Sequence, residues 1–296
     1  MSELFPRTTV AGVSLPRMLI GTNWMLGWSH RSSAADKLIE NNHPDEHAIL
    51  PMYEAFASRG VDAVMGTTTM AGPHFARSLR LYEDKHGKAL TLIDTPAIDV
   101  SDNAEARKSA EATIKECAKN GATFCLIHHS SAEQLVNKNL QAIPRLPDYL
   151  SMIRDAGMIP GLSAHMPELV LYSDAQGYDV ETYIQLYNCL GFLMQVEVET
   201  IARVIHNAKK PVMTIKSMAA GRCTPYVGLN FSYNTIRECD MVTVGCMTPM
   251  EVAEDVEIGL AAIERRFPDF EGRSSPNKTE AVKGAMDPDN KRGLLI

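Results

Sequence analysis

The sequence predicts an α/β chain that closes into a single (β/α)8 barrel, the TIM-barrel architecture, as one domain over residues 1–296. Three observations predict it. Short apolar runs recur about every 30 residues, each the length of a strand buried on both faces. Helical patterns alternate with them, as in a parallel sheet joined by right-handed crossovers. Polar residues stand directly after several runs, as in Phe124-Cys-Leu-Ile-His128-His129, Ile159-Pro-Gly-Leu-Ser-Ala-His165 and Val212-Met-Thr-Ile-Lys216. The carboxyl ends of the strands are where such a barrel keeps its site.

Taken in order, Arg17–Gly21 is the first strand, followed by a long polar segment from Thr22 to His47. Residues 51–58 read as a helix, and Gly60 ends it before the second strand, Val61–Met65. Leu90–Asp94 is the third strand. The helix over 104–120 stops at Gly121, the position where glycine takes a left-handed cap. Thr123–Ile127 is the fourth strand and 147–156 a helix ended by Gly157. Ile159–Ser163 and Thr182–Tyr187 are strands five and six. The helix over 197–208 carries Lys209 and Lys210 at its C-terminal end, where the dipole favours cations. Val212–Ile215 and Met241–Gly245 complete the strands, and 249–264 is the closing helix. The tail 273–296 is polar and reads as irregular. An open doubly wound sheet is the alternative, but no GxGxxG follows the first strand and no Walker A sequence is present.

Composition narrows the class. The chain is 45% hydrophobic and 22% charged, with a net charge of −7, so no basic nucleic-acid surface is expected. No apolar run is long enough to span a bilayer, and the N-terminus has no signal-peptide core. Six cysteines without a CxxC pair suggest reduced thiols and a cytoplasmic protein. A small-molecule substrate is the expected partner, and homo-oligomerisation stays open.

Several segments resemble the aldo/keto reductase superfamily. They are Leu126-Ile-His128, Gly161-Leu-Ser163-Ala-His165-Met-Pro-Glu168, Ile184-Gln185-Leu-Tyr187-Asn188, Thr214-Ile-Lys216-Ser-Met-Ala-Ala-Gly221 and Val244-Gly245-Cys-Met-Thr-Pro-Met-Glu251. They stand in the family's order. The resemblance implies an NAD(P) cofactor whose nicotinamide amide is held by Ser163 and Gln185. It also implies a catalytic Asp, Tyr, Lys and His. Here only the His is matched, as His128. The stretch Met65-Gly-Thr67-Thr68-Thr69-Met70-Ala-Gly72 puts Met70 near the expected Tyr, and Asp94-Thr95-Pro96 stands where the Lys is expected. Methionine cannot donate a proton, so the family's general acid is missing.

The residues themselves suggest other chemistry. His128, His129, His165 and Asp94 end neighbouring strands, and together would suit a divalent metal such as Zn or Mn. Alternation along a strand argues that His128 and His129 do not both face the cleft. A structural histidine is the rival reading of His165. Lys216 is a candidate base, Schiff-base amine or substrate anchor, and Arg222 a candidate anion binder. Asn23, Trp24, Trp28 and His30 follow the first strand and could form a substrate wall, or Trp24 and Trp28 could pack as one helical turn. The leading expectation is lyase or isomerase chemistry on a small polar carbonyl compound of the sugar or sugar-acid type. In it His128 or His165 acts as base or ligand, Asp94 as its partner, and Lys216 or Arg222 as oxyanion or substrate anchor. The alternatives are an NAD(P)-dependent oxidoreductase with a non-standard acid, and a ligand-binding barrel without catalysis.

Overall fold

The computed structural model describes residues 4–269. The expected irregular tail, 273–296, lies outside them. Eight parallel strands close into one barrel. In chain order the strands are β3 (Met18–Gly21), β4 (Ala63–Gly66), β5 (Thr91–Asp94), β6 (Ala122–Ile127), β7 (Ile159–Ala164), β8 (Thr182–Leu186), β9 (Val212–Ile215) and β10 (Met241–Val244). Each expected strand is present, with ends shifted by a residue or two.

Ahead of the barrel lies an antiparallel hairpin, β1 (Arg7–Val10) and β2 (Val13–Pro16), which the hydrophobic pattern did not reveal. Val10 and Leu15 from it join Leu19, Ala63, Ile93, Phe124, Ile184, Met213 and Met241 in the barrel interior. The hairpin therefore closes the amino-terminal floor, and any site must use the other end.

Alternation along the strands decides which residues reach that end. Leu19, Ile93, Phe124, Leu126 and Ile184 point inward. Ile20 and Leu92 pack outward against the helices. In the same phase Thr95, His128, Ser163 and Thr243 belong to the interior face. Gly161 lies on that face opposite Leu126. A Cβ there would stand 2.7 Å from both Leu126 Cγ and Thr182 O, so backbone packing demands glycine.

The outer layer has more helices than the sequence suggested. The long polar segment contains α1 (Ser33–Asn42), capped by Ser32 Oγ accepting from Ala35 N at 3.2 Å. The next helix, α2 (Glu46–Ala57), begins earlier than expected because Asp45 caps it, and Pro51 lies inside it. The helices α3 (Pro73–His86), α4 (Ala104–Lys119), α5 (His129–Ala132), α6 (Leu146–Asp155) and α7 (Glu168–Gln176) follow in order. Then come α8 (Val198–Asn207), α9 (Pro225–Thr235) and α10 (Pro249–Glu264). A capping box of Thr248 and Glu251 starts α10. All six cysteines are free, as expected. Among the described residues no helix is long and apolar enough to cross a membrane.

Candidate active site

A cleft of about 960 Å3 opens at the carboxyl ends of the strands. Asn23, Trp24, Trp28, His30, His128, His129, Ser163, His165, Lys216 and Arg222 all line it. The sequence reading named each of them.

His128 lines the cleft because it continues the inward phase of Phe124 and Leu126. Its Nδ1 caps α5, accepting from Ser130 N at 3.4 Å, and lies 2.8 Å from Ser130 Oγ. The cap uses the Nδ1 lone pair, which leaves the proton on Nε2. His129 also lines the cleft, contrary to the alternation argument. The strand ends at Ile127 and the chain turns into α5, so period-two alternation no longer applies. Its ring stacks on His165, with centroids 3.7 Å apart and planes 15° from parallel. The His128 and His129 rings are 4.2 Å apart. Glu133 fixes the third imidazole by accepting from the N–H groups of His165 and Met166, both at 2.8 Å.

Burial keeps these imidazoles neutral. It pushes His128 down to about 4, helped by His129. His165 falls to about 3 through burial, then through His129, Lys216, His128 and His30. His129 is lowered by burial too. At neutral pH they are hydrogen-bonding groups without charge.

The expected metal site needs correction. Stacked imidazoles aim their lone pairs along nearly parallel planes, not at one point. Asp94 is not with them either. It follows the outward phase of Leu92, is 0% exposed, and accepts from Thr68 N at 3.0 Å and from Thr68 Oγ1. Asn120 Nδ2 donates to the same hydroxyl at 3.0 Å. Burial raises the Asp94 carboxyl although the Thr68 bonds oppose this. Asp94 thus ties the loop after β4 to the outer layer and is placed neither as a ligand nor as a catalytic partner. Among the described residues no group of three or more His, Cys, Asp or Glu side chains is arranged to hold a metal ion.

Lys216 directly follows β9, with its backbone in the left-handed region, φ 64°. Burial lowers its amine from 10.5 to about 8. Its Nζ lies 3.2 Å from His30 Nδ1. The Arg222 guanidinium carbon lies over the Phe192 ring, 3.8 Å from the centroid, and the group donates to the carbonyls of His30 and Ala219. Neither cation has a carboxylate partner among the described ion pairs.

Trp24 and Trp28 both line the cleft wall. The Trp24 indole lies against Gly245, where a Cβ would stand 3.3 Å from Trp24 Cδ1. Of the expected amide-holding pair, Ser163 faces the cleft and Gln185 does not. Gln185 has the outward phase opposite to Ile184, and its Nε2 turns to the His165 and Leu186 carbonyls at 3.5 and 3.4 Å.

Thr67, Ser217 and Asp36 are among the cleft residues that escaped the sequence reading. Thr67 is 5% and Ser217 1% exposed, and the hydroxyl of each lacks a hydrogen-bond partner among the described residues. Each stands two residues past a strand run that was recognised, Val61–Met65 and Val212–Ile215, which is the signal that could have found them. Asp36 lies on α1, inside the segment read as a loop.

No protein-family model matches the sequence, and no curated protein does. The fold does have solved relatives. One is PA4992 of Pseudomonas aeruginosa, described as an aldo-keto reductase: 14% identical, covering 89% of this chain and 98% of that one, with a TM-score of 0.65. Another is the aldo-keto reductase AKR11C1 from Bacillus halodurans in its holo form: 9% identity, 92% and 99% coverage, TM-score 0.59. A third is the glycerol dehydrogenase AKR11B4 from Gluconobacter oxydans: 10% identity, 91% and 98% coverage, TM-score 0.56. The barrel is therefore of the aldo/keto reductase-like type, a statement about fold alone.

Proposed function

We propose that this protein is an oxidoreductase that moves a hydride between NAD(P) and a small polar carbonyl compound, with Lys216 as acid in place of the missing tyrosine. One observation carries the reading. Ser217 Oγ is buried and has no hydrogen-bond partner among the described residues, and it lies with Lys216 and Arg222, two cations without carboxylate partners among those residues, where α9 begins at the cleft. A buried orphan hydroxyl beside uncompensated positive charge and free helix N–H groups fits an anionic ligand such as a pyrophosphate. Ser217 and Arg222 would hold the cofactor's phosphates and Ser163 its carboxamide, while Gln185 would contribute nothing. When bound, the cofactor supplies the hydride.

The chain's own groups do the remaining work. An ammonium with its proton affinity lowered to about 8 is charged at neutral pH and gives up its proton readily. Lys216 Nζ would protonate the developing alkoxide. His128, through Nε2–H, and neutral His165 would hydrogen-bond the carbonyl oxygen without carrying charge away from it. Trp24 and Trp28 would wall the substrate side, and Asn23 would bind a substrate hydroxyl.

The second reading is cofactor-free proton transfer beside a carbonyl, as in an isomerase or lyase. Two observations favour it: Trp24 covers Gly245, and Gln185 is turned out of the cleft. The test measures NADH and NADPH binding to purified protein, then carbonyl-dependent cofactor oxidation over a panel of hydroxyaldehydes and keto acids. The same panel is followed in D2O for deuterium uptake next to the carbonyl. Binding with turnover supports the first reading. Deuterium uptake without cofactor binding replaces it with the second. Neither leaves a ligand-binding barrel.

A further inference from the structure

Lys216 is half-buried, so a proton it gives away must be replaced along some path. Among the described residues its side-chain hydrogen-bond partner is His30 Nδ1, at 3.2 Å. The His30 ring is exposed, and the same Nδ1 lies 3.0 Å from the Trp28 carbonyl. The two residues come from loops 186 positions apart.

Their meeting is built by a clamp. His30 has φ 58° and Lys216 φ 64°, both in the left-handed region that is costly for residues with a Cβ. Arg222 Nη1 and Nη2 each donate to the His30 carbonyl at 3.3 Å. On the other side Asp36 Oδ1 accepts from Ser29 N at 2.8 Å and from Ser29 Oγ at 2.5 Å. Ser29 Oγ accepts in turn from Arg31 N at 3.0 Å. The peptide on both sides of His30 is thus pinned, and the strained conformation holds the imidazole over the amine.

We propose that His30 is the proton relay of Lys216, a positioning residue that returns a solvent proton to the amine in each turnover. The inference rests on the acid role of Lys216 proposed above. A neutral imidazole carries one proton on one of two nitrogens. While Lys216 is an ammonium it donates to the Nδ1 lone pair, and the ring proton is on Nε2. After Lys216 Nζ has protonated the substrate oxygen, its lone pair is free. The Trp28 carbonyl, an acceptor only, then stabilises the tautomer with the proton on Nδ1, reached by exchange with water. That proton passes from Nδ1 to Nζ while Nε2 takes one from solvent. The ring ends neutral, the amine ends charged, and one solvent proton has replaced the one delivered. Asp36 on α1 and Arg222 on the loop after β9 face His30 with opposite charges. His129 and His165 face Lys216 as neutral rings.

Two measurements test this. In the apo protein, the His30 ring nitrogens are followed by NMR against pH. The expected trace carries an inflection near 8 from Lys216 besides the ring's own, and Lys216→Met removes it. In turnover, His30→Ala should lower kcat about tenfold or more with KM unchanged, and added imidazole should restore kcat in proportion to its concentration. His30→Gln, which keeps a polar group of similar length, should stay slow, because an amide cannot relay. A His30 trace without the second inflection overturns the proposal whatever the turnover. So does His30→Ala with full kcat in dilute buffer. If the wild type transfers no hydride, the oxidoreductase reading and with it the relay in turnover fall, while the inflection still decides whether the two groups share a proton.

Discussion

Replacing Lys216 by methionine should stabilise the protein and destroy its activity. The folded chain lowers this amine from 10.5 to about 8 because burial strips water from the charged form. One pKa unit is worth about 1.4 kcal/mol, so holding the ammonium in the fold costs at most about 3 kcal/mol, or roughly 2 kcal/mol after allowance for solvent screening at a half-buried group. The sign follows from linkage. Between 8 and 10.5 the unfolded chain binds more protons than the folded one, so wild-type stability rises with pH across that window. Below 8 both states are protonated and the full cost is present. Methionine matches the lysine stem and removes the charge. Urea unfolding of both proteins should therefore show the variant about 2 kcal/mol more stable at pH 7, with the advantage shrinking through pH 9 and gone near 10.5. A variant less stable than wild type at pH 7, or an advantage independent of pH, would refute the claim that Lys216 is held as a desolvated ammonium.

Three further outcomes are expected. His128→Ala and His165→Ala should each lower turnover roughly a hundredfold with little change in the unfolding midpoint, whereas His206→Ala on α8 should leave activity near wild type; equal small effects at all three would make the imidazole stack structural. Asp94→Asn should cost about 1–3 kcal/mol, because an amide NH2 that cannot accept replaces one of the two carboxylate oxygens bonded by Thr68, yet keep turnover within a few-fold; a collapse of kcat in a folded variant would return Asp94 to the chemistry. Wild-type stability should also decline as pH rises from 3.8 through the raised Asp94 value, a slope missing from that variant. Gly161→Ala should lower the unfolding free energy by about 1–3 kcal/mol through its 2.7 Å approach to Leu126 and Thr182 O; an unchanged stability would show that β6–β8 can spread.

The sequence by itself determined the barrel and the ring of strand ends that carries the site. Buried parallel strands must be apolar on both faces, so their runs stand out from the chain, and the residue just past each run lies at the mouth. That is why His128, His165 and Lys216 were legible. The tertiary structure decided what those residues do to each other. Asp94 left the cluster because a strand end has two faces and the run gives no phase by itself; only pairing around the closed barrel fixes that Ile93 points in and Asp94 out. His129 joined it because a helix begins at that residue, where strand alternation ceases. The terminal hairpin and α1 were missed because they bury few residues, Ile39 alone within α1, and so carry little hydrophobic periodicity, and with α1 went Asp36. The meeting of His30 with Lys216 has no local signature. It depends on two left-handed residues held by Arg222 and by the Ser29–Asp36 bond across distant loops, and only the folded chain brings those loops to one cleft.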